Sequence, residues 1–90
     1  MNEADAVYVR AVGLRVRLLR TAERLTQDQL AELSGVSRGT VGSIERGDHP
    51  AGLHCYWALA AAFGIAMSEL VDVPGAHALD RTAAQLGAAP

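Results

Sequence analysis

Apolar residues recur every three or four positions along most of the chain, which is typical of amphipathic helices, and strand-type alternation is missing. We expect the first helix to end near Glu23, with Asp5 as a candidate for its N-terminal cap. One row of apolar residues on this helix should face the core: Val9, Val12, Val16 and Leu19. The pattern therefore predicts a helical protein that begins with one long helix.

Two further helices are predicted near the C-terminal end of the pattern. The fourth should cover residues 53–63, end at Gly64 and leave Trp57 more exposed than its neighbours. Its core-facing residues should be Tyr56, Leu59, Ala60 and Phe63. A short fifth helix over residues 67–71 follows, and its start should fray because Ala66 stands where a capping Ser would help.

The most informative stretch is TQDQLAELSGVSRGTVGSIERG, residues 26–47. Thr26 and Gln29 have the spacing of a capping box, and Gly35 suits the left-handed residue that ends a helix. Ser37 can cap a second helix directly afterwards. The turn between the two helices is too short for them to lie antiparallel, so they should cross steeply.

Helical spacing divides this stretch into two faces. The inward-facing residues should be Leu30, Ala31, Val36, Val41 and Ile44. The outward-facing residues of the second helix should be Arg38, Gly39, Gly42, Ser43 and Arg46.

This stretch resembles the helix-turn-helix of the Cro and phage-repressor (XRE-like) family. Seven residues agree with the family pattern in register: Gln27, Ala31, Gly35, Val41, Ile44, Glu45 and Gly47. The resemblance covers roughly residues 7–71 and implies an all-α, compact five-helix bundle with the motif formed by helices 2 and 3. We therefore expect a DNA-binding domain over residues 1–71. Residues 72–90 should be a C-terminal tail, either disordered or a short docked helix.

The resemblance implies a bacterial or phage transcriptional regulator, a repressor that binds a pseudo-palindromic site in double-stranded DNA as a homodimer. Helix 3 would lie in the major groove, where Arg38 suits the O6 and N7 atoms of guanine. The expected DNA-binding residues are Arg17, Gln27, Ser37, Arg38, Gly39, Thr40, Gly42, Ser43 and Arg46. The alternative is a protein-interaction module on the same fold, such as an antitoxin-like partner or an adaptor.

Roles within this set differ. Gln27, Arg17 and Arg46 would contact phosphates, which positions the protein without reading sequence. Gly39 and Gly42 have two interpretations: they let the backbone approach the DNA, or they belong to a protein of low sequence selectivity. In the family, an arginine at the position of Arg20 pairs with a glutamate near the end of helix 3, which corresponds to Glu45. The pair ties helix 1 to helix 3. Arg24 stands where relatives commonly have Gly.

A second apolar row lies on a neighbouring face of helix 1: Val7, Ala11, Leu14 and Leu18. Three interpretations are open. Either the C-terminal tail covers the row through Leu79 and Leu86, or a second copy of the chain binds it, or it is exposed.

Charge is segregated along the chain. The formal net charge is −2, yet residues 7–46 hold seven arginines against four acidic residues, a local net charge of +3. The single Cys55 excludes an internal disulfide, and no secretory leader or run of 18 apolar residues exists, so we expect a soluble cytoplasmic protein. One Cys and three scattered His form neither a zinc-ligand set nor an oriented catalytic pair. We expect no metal, no cofactor and no enzymatic activity.

Overall fold

The computed structural model describes residues 1–73. They form five α-helices and no strand: α1 Glu3–Ala22, α2 Gln27–Ser34, α3 Arg38–Arg46, α4 Leu53–Phe63 and α5 Met67–Val71. The predicted all-α fold of five helices is confirmed.

Helix α1 begins earlier than the sequence indicated. Its N-terminal cap is Asn2, whose Oδ1 accepts a hydrogen bond from the Asp5 backbone N–H at 2.8 Å, so the prediction of Asp5 as the cap is wrong. With Asn2 as the cap, the carboxylates of Glu3 and Asp5 fall in the first turn. There they oppose the positive end of the helix dipole, which favours the longer helix.

The turn between α1 and α2 places Arg24 in the left-handed region, with φ +57°. The Arg24 N–H donates to the Thr21 carbonyl at 3.0 Å, and the Leu25 N–H donates to the Arg20 carbonyl at 3.0 Å. These two bonds define a Schellman motif, in which the left-handed position is usually a glycine. Arg24 thus occupies the position where relatives commonly have Gly, and its side chain strains a helix end that is otherwise ordinary.

Both predicted caps of the central motif are present. The Thr26 hydroxyl accepts from the Gln29 N–H at 3.0 Å, and the Gln29 side chain accepts from the Thr26 N–H at 2.8 Å. Gly35 ends α2 with φ +77°, and the Ser37 hydroxyl begins α3 by accepting from the Thr40 N–H at 3.2 Å. This local chemistry sets the ends of the two helices that form the candidate site.

The core lies between α1, the α2–α3 pair and α4, with α5 closing one side. Its largest fully buried side chains come from all five helices: Leu30, Ile44, Leu59, Leu70, Val16 and Val41. Of the predicted core rows of α1 and α4, five residues are buried: Val9, Val12, Val16, Leu59 and Ala60. The other three, Leu19, Tyr56 and Phe63, are half-buried and pack against the core. Trp57 remains 64% exposed.

Helix α5 is attached to α1 by two hydrogen bonds to its backbone. The Tyr8 hydroxyl donates to the Val71 carbonyl at 2.7 Å, and Arg15 Nε donates to the Glu69 carbonyl at 2.8 Å. Burial, the charge of Asp72 and the nearby Tyr56 together raise the pKa of Tyr8, so its hydroxyl keeps the proton that it donates. No side chain caps α5 at Ala66, but the Glu69 carboxylate accepts from the Ala66 N–H at 3.1 Å.

The second apolar row of α1 is largely exposed within the described residues. Val7, Leu14 and Leu18 are 50%, 52% and 58% exposed. Leu79 and Leu86, the predicted tail contacts for this row, lie outside the described residues. The last described residue, Val73, is 7% exposed, so the packed core extends at least to that residue.

Candidate nucleic-acid interface

A glycine in α1 allows α3 to pack closely against it. Gly13 of α1 is buried, and a Cβ placed on it would overlap the carbonyl oxygen of Ile44. The two backbones can therefore approach only because residue 13 is glycine. This contact sets the distance between α1 and α3.

A second close contact lies at the C-terminal end of α3. Gly47 has φ +68°, and a Cβ on it would lie 2.6 Å from Cγ of Arg10 and 2.9 Å from its Cα. Arg10 thus lays the base of its side chain across the end of α3. Glycine is required here both by the left-handed backbone and by the space.

The predicted pair of Arg20 and Glu45 forms a two-pronged ion pair between α1 and α3. Arg20 Nε donates to Glu45 Oε2 at 2.7 Å, and Arg20 Nη2 donates to Oε1 at 2.9 Å. The two side chains are only 14% and 4% exposed. The third guanidinium nitrogen, Nη1, donates to the Leu25 carbonyl at 2.8 Å, which also ties down the turn before α2.

The environment of Arg20 favours its charged form. Hydrogen bonding to Glu45 has the largest effect and raises the pKa of Arg20; burial lowers it, and the carboxylate charge raises it again. Gln27 joins the pair, because its Nε2 donates to Glu45 Oε1 at 3.1 Å. We call this group of Arg20, Glu45 and Gln27 the brace. It links α1, α2 and α3 at one point.

The N-terminal end of α3 presents a polar surface. Ser37, Arg38 and Gly39 are exposed, whereas Thr40 and Ser43 are half-buried. A Cβ on Gly39 would meet no atom within 4 Å, so this position opens directly to solvent. The Ser37 hydroxyl is already used as the cap of α3 and donates to Thr40 Oγ1 at 2.8 Å.

Two ion pairs flank this surface. Arg38 Nε lies 3.1 Å from Asp28 Oδ1, and Arg46 Nε lies 3.0 Å from Asp48 Oδ2. All four side chains are well exposed, from 43% to 74%. Such pairs stabilise a fold by about 0–1 kcal/mol, so each arginine can exchange its carboxylate for another anion at little cost.

Gly42 does not face outward as predicted. It is buried, and a Cβ on it would lie 3.0 Å from Nη1 of Arg46 and 3.6 Å from Oε1 of Gln27. The side chains of these two neighbours fold over the position and cover its backbone. The predicted approach of DNA to the backbone at Gly42 would require both side chains to move, whereas Gly39 is open.

The remaining predicted residue, Arg17, is exposed on α1. It lies four positions after Gly13 and three before Arg20, on the same side of α1 that contacts α3. Helical spacing therefore places Arg17 on the side of α1 next to α3. Gln27 belongs to the same region but has its amide engaged in the brace.

Other chemistry is sparse in the part of the chain that is described. Residues 1–73 contain no group of three metal-ligating side chains, and the Cys55 sulfur has a weak 3.6 Å contact with Nε2 of His54. None of the described helices is long and apolar enough to cross a membrane.

Two residues with a role in this surface were not identified from the sequence. Gly13 interrupts the apolar residues of α1, and a glycine within a strongly helical segment is the signal that could have revealed a close contact. Asp28 gave no such signal, because an acidic residue in the first turn of a helix is explained by the helix dipole alone.

These features define a helix-turn-helix protein with an exposed, arginine-bearing second helix. A sequence model of the helix-turn-helix family matches residues 16–70, and the chain belongs to this family. Family membership confirms the predicted class, a DNA-binding transcription regulator, and the prediction that the chain is not an enzyme.

Individual relatives agree with this assignment. The chain is 40% identical over 60 residues to an immunity repressor protein of Bacillus phage phi105, covering 67% of this chain and 42% of that protein. It is 37% identical over 78 residues to control protein C.SmaI of Serratia marcescens, covering 83% of this chain and 93% of that protein.

Two solved structures are also similar. The restriction-modification controller protein C.AhdI of Aeromonas hydrophila has a TM-score of 0.66 and 44% identity, covering 69% of this chain and 94% of that one. A transcriptional regulator of Vibrio cholerae from the same family has a TM-score of 0.67 and 26% identity, covering 87% of this chain and 40% of that one. The match therefore spans less than half of the phage repressor and almost all of both controllers.

Proposed function

We propose that the protein is a cytoplasmic transcriptional repressor that binds a pseudo-palindromic DNA site as a homodimer, with α3 in the major groove. The observation that carries the proposal is the position of Arg38. It is exposed at the N-terminal end of α3, next to the open Gly39, on a helix that contacts α1 through the brace and at Gly13. The N-terminal residues of the second motif helix are the ones that contact base edges in this class of protein.

The similarity to the two controller proteins supports a more specific role. Residues equivalent to 93% of C.SmaI and 94% of C.AhdI are present here, and the latter is a restriction-modification controller. We propose that this chain likewise controls a small set of genes, in the manner of a restriction-modification controller.

The predicted DNA-binding residues have different proposed parts. Arg38 donates two hydrogen bonds to a guanine, and Ser37, Thr40 and Ser43 contribute shorter polar contacts. Gly39 lets the DNA come close. Arg17 and Arg46 neutralise phosphates, and Gln27 either reaches a phosphate or steadies Glu45 from its position in the brace.

Selection from a random-sequence library, followed by footprinting of the enriched DNA, tests the proposal. We expect a pseudo-palindrome whose half-sites lie about one helical turn apart, roughly 34 Å, with both half-sites protected. Binding should weaken steeply with salt. Absence of salt-sensitive binding would overturn the proposal, and protection of one half-site by a monomer at all concentrations would overturn the dimer.

Arginine substitutions separate sequence reading from phosphate contact. Arg38→Ala should cost about 1–3 kcal/mol on the best site and relax the preference at one guanine per half-site. Arg46→Ala should weaken binding to all sequences alike and reduce the salt slope by about one unit. One titration series with selected and random DNA measures both effects.

Arg15→Ala is the control, because Arg15 is bound to Glu69 on the side of α1 that contacts α5 and should contribute little to either signature. Equal losses on selected and random DNA for Arg38→Ala would assign Arg38 to phosphate instead. Selectivity would then come from Ser43 or from DNA shape.

A protein-interaction module is the second candidate function. Leu53 and Trp57 are 74% and 64% exposed, and at a spacing of four residues they lie on one side of α4. An adaptor that uses this surface should bind its partner without salt-sensitive affinity for DNA.

A further inference from the structure

The acidic residue beside the candidate recognition arginine contributes to the fold only as a first-turn charge of α2. Asp28 is the second residue of α2, its side chain is 74% exposed, and its Oδ1 lies 3.1 Å from Nε of Arg38. The capping of α2 is completed by Thr26 and Gln29. A pair this exposed adds little to stability, so the contact matters mainly for where the Arg38 side chain points.

The nitrogen that Asp28 engages is significant. The closest approach is to Nε, at the base of the guanidinium group. An ion pair at Nε leaves the two terminal nitrogens available for the two-pronged contact with guanine. The flexible side chain of Arg38 would then be partly ordered before DNA arrives, which lowers the entropy cost of reading a base.

The location of Asp28 adds a second effect. The N-terminal end of α2 is where a helix of this motif would approach a phosphate, and Asp28 puts a negative charge into that turn. The charge opposes any DNA backbone nearby, and it offsets the attraction of Arg38 to phosphates. Both effects disfavour DNA that offers Arg38 no guanine.

Resting on the proposed function, we propose that Asp28 is a positioning residue that determines sequence selectivity: it aligns Arg38 for guanine and weakens binding to other sequences. The residue does not itself contact the base. Its contribution is therefore a ratio of two affinities, and affinity for a single DNA does not reveal it.

The chain offers a matched control in the other exposed pair. Asp48 accepts a hydrogen bond from Nε of Arg46 at 3.0 Å, but Arg46 is at the opposite end of α3 and is proposed to contact phosphate. Asp28→Asn and Asp48→Asn each remove one negative charge next to an arginine of α3. Only the first should change selectivity.

The experiment measures binding to the selected site, to the same site with the recognised guanine replaced, and to random DNA, over a range of salt. For Asp28→Asn we expect tighter binding to random DNA and a fall of about threefold to tenfold in discrimination between the first two sites. Asp48→Asn should tighten binding to all three DNAs alike and leave discrimination unchanged. Asp28→Glu should retain most of the wild-type discrimination.

A double substitution tests whether the effect passes through Arg38. In the Arg38→Ala background, Asp28→Asn should leave discrimination unchanged, because the side chain that Asp28 positions is gone. Wild-type discrimination in Asp28→Asn, or the same fall with and without Arg38, would overturn the inference while leaving the proposed function intact. A wild-type protein without salt-sensitive DNA binding would overturn the proposed function itself. Circular dichroism of each variant checks that the helices are unchanged.

Discussion

Arg24 is a residue other than glycine with a left-handed, strained backbone. A left-handed conformation costs a residue other than glycine about 1–2 kcal/mol. Glycine avoids this cost, but it loses about 0.5–1 kcal/mol more conformational entropy on folding because its unfolded state is more flexible. We therefore expect Arg24→Gly to stabilise the fold by about 0.5–1 kcal/mol, seen as a rise in Tm of a few degrees.

The control for this substitution is Arg24→Ala, which removes the same side chain but keeps a Cβ in the left-handed turn. If both variants gained the same stability, the gain would come from the lost charge, and the backbone explanation would be wrong.

Glu45 is the central residue of the brace. It accepts hydrogen bonds from both Arg20 and Gln27, and its side chain is only 4% exposed. Removing one partner of a buried pair leaves the other charge uncompensated and costs about 3–5 kcal/mol. We expect Glu45→Ala to lower Tm by many degrees in thermal unfolding, before any effect on DNA contacts. Glu32→Ala, an exposed change on α2, should stay within about 0.5 kcal/mol of wild type. A shift for Glu45→Ala as small as this would contradict a buried brace.

The sequence predicted individual residues well where their partners are near in the chain or expected from the family. Thr26, Gln29, Gly35 and Ser37 act over three or four residues, so their roles could be derived from spacing alone. Arg20 and Glu45 were paired by resemblance. Asp28 could not be predicted as a partner of Arg38, because side-chain direction across the motif is settled only when α2 and α3 are packed.

At the scale of elements, the contact between α1 and α3 depends on Gly13. Replacing a glycine by Ala at an exposed position within a helix stabilises the protein by about 1 kcal/mol. At Gly13 the new Cβ would overlap the Ile44 backbone, and overpacking of this kind costs about 1–3 kcal/mol or more. We expect Gly13→Ala to destabilise the protein by about 2 kcal/mol in denaturant unfolding, in spite of the helix propensity of Ala.

Gly39→Ala is the matched control, since its Cβ would meet open space on α3. It should be neutral or stabilising by up to about 1 kcal/mol. A gain at both positions would show that α1 and α3 can separate at no cost.

Element ends and element contacts differed in how well they could be predicted. The helices of the central motif were located by their caps, whereas the start of α1 was not, because Asn2 and Asp5 are both good capping residues and only the extra helical turn decides between them. The burial of Gly42 was missed for a related reason. Helical spacing gives the direction of a position, but not the long side chains of Arg46 and Gln27 that fold over it.

At the scale of the whole molecule, two exposed apolar surfaces compete as the dimer interface: the α1 row of Val7, Leu14 and Leu18, and the α4 side of Leu53 and Trp57. We expect the α4 side to carry the dimer, because buried tryptophans dominate the binding energy of many interfaces. Trp57→Glu should shift the protein to monomers in sedimentation velocity, with the helical content unchanged.

Leu18→Glu is the comparison, since it places the same charge in the other apolar surface. Monomers from Leu18→Glu and dimers from Trp57→Glu would assign the interface to the α1 row instead. Dimers from both variants would exclude both surfaces.

The three contacts between α1 and α3 also have a consequence for motion. Gly13 with Ile44, Arg10 with Gly47, and Arg20 with Glu45 lie at the last turn and C-terminal cap of α3, where sliding or rotation of α3 alone would break all of them. A helix secured in this way opens only together with its support, as one cooperative unit. The amide protons of α3 and of the middle of α1 should therefore exchange with deuterium at a common opening free energy. On a curved or distorted duplex, the protein would adjust as a rigid block, and the DNA would supply the flexibility.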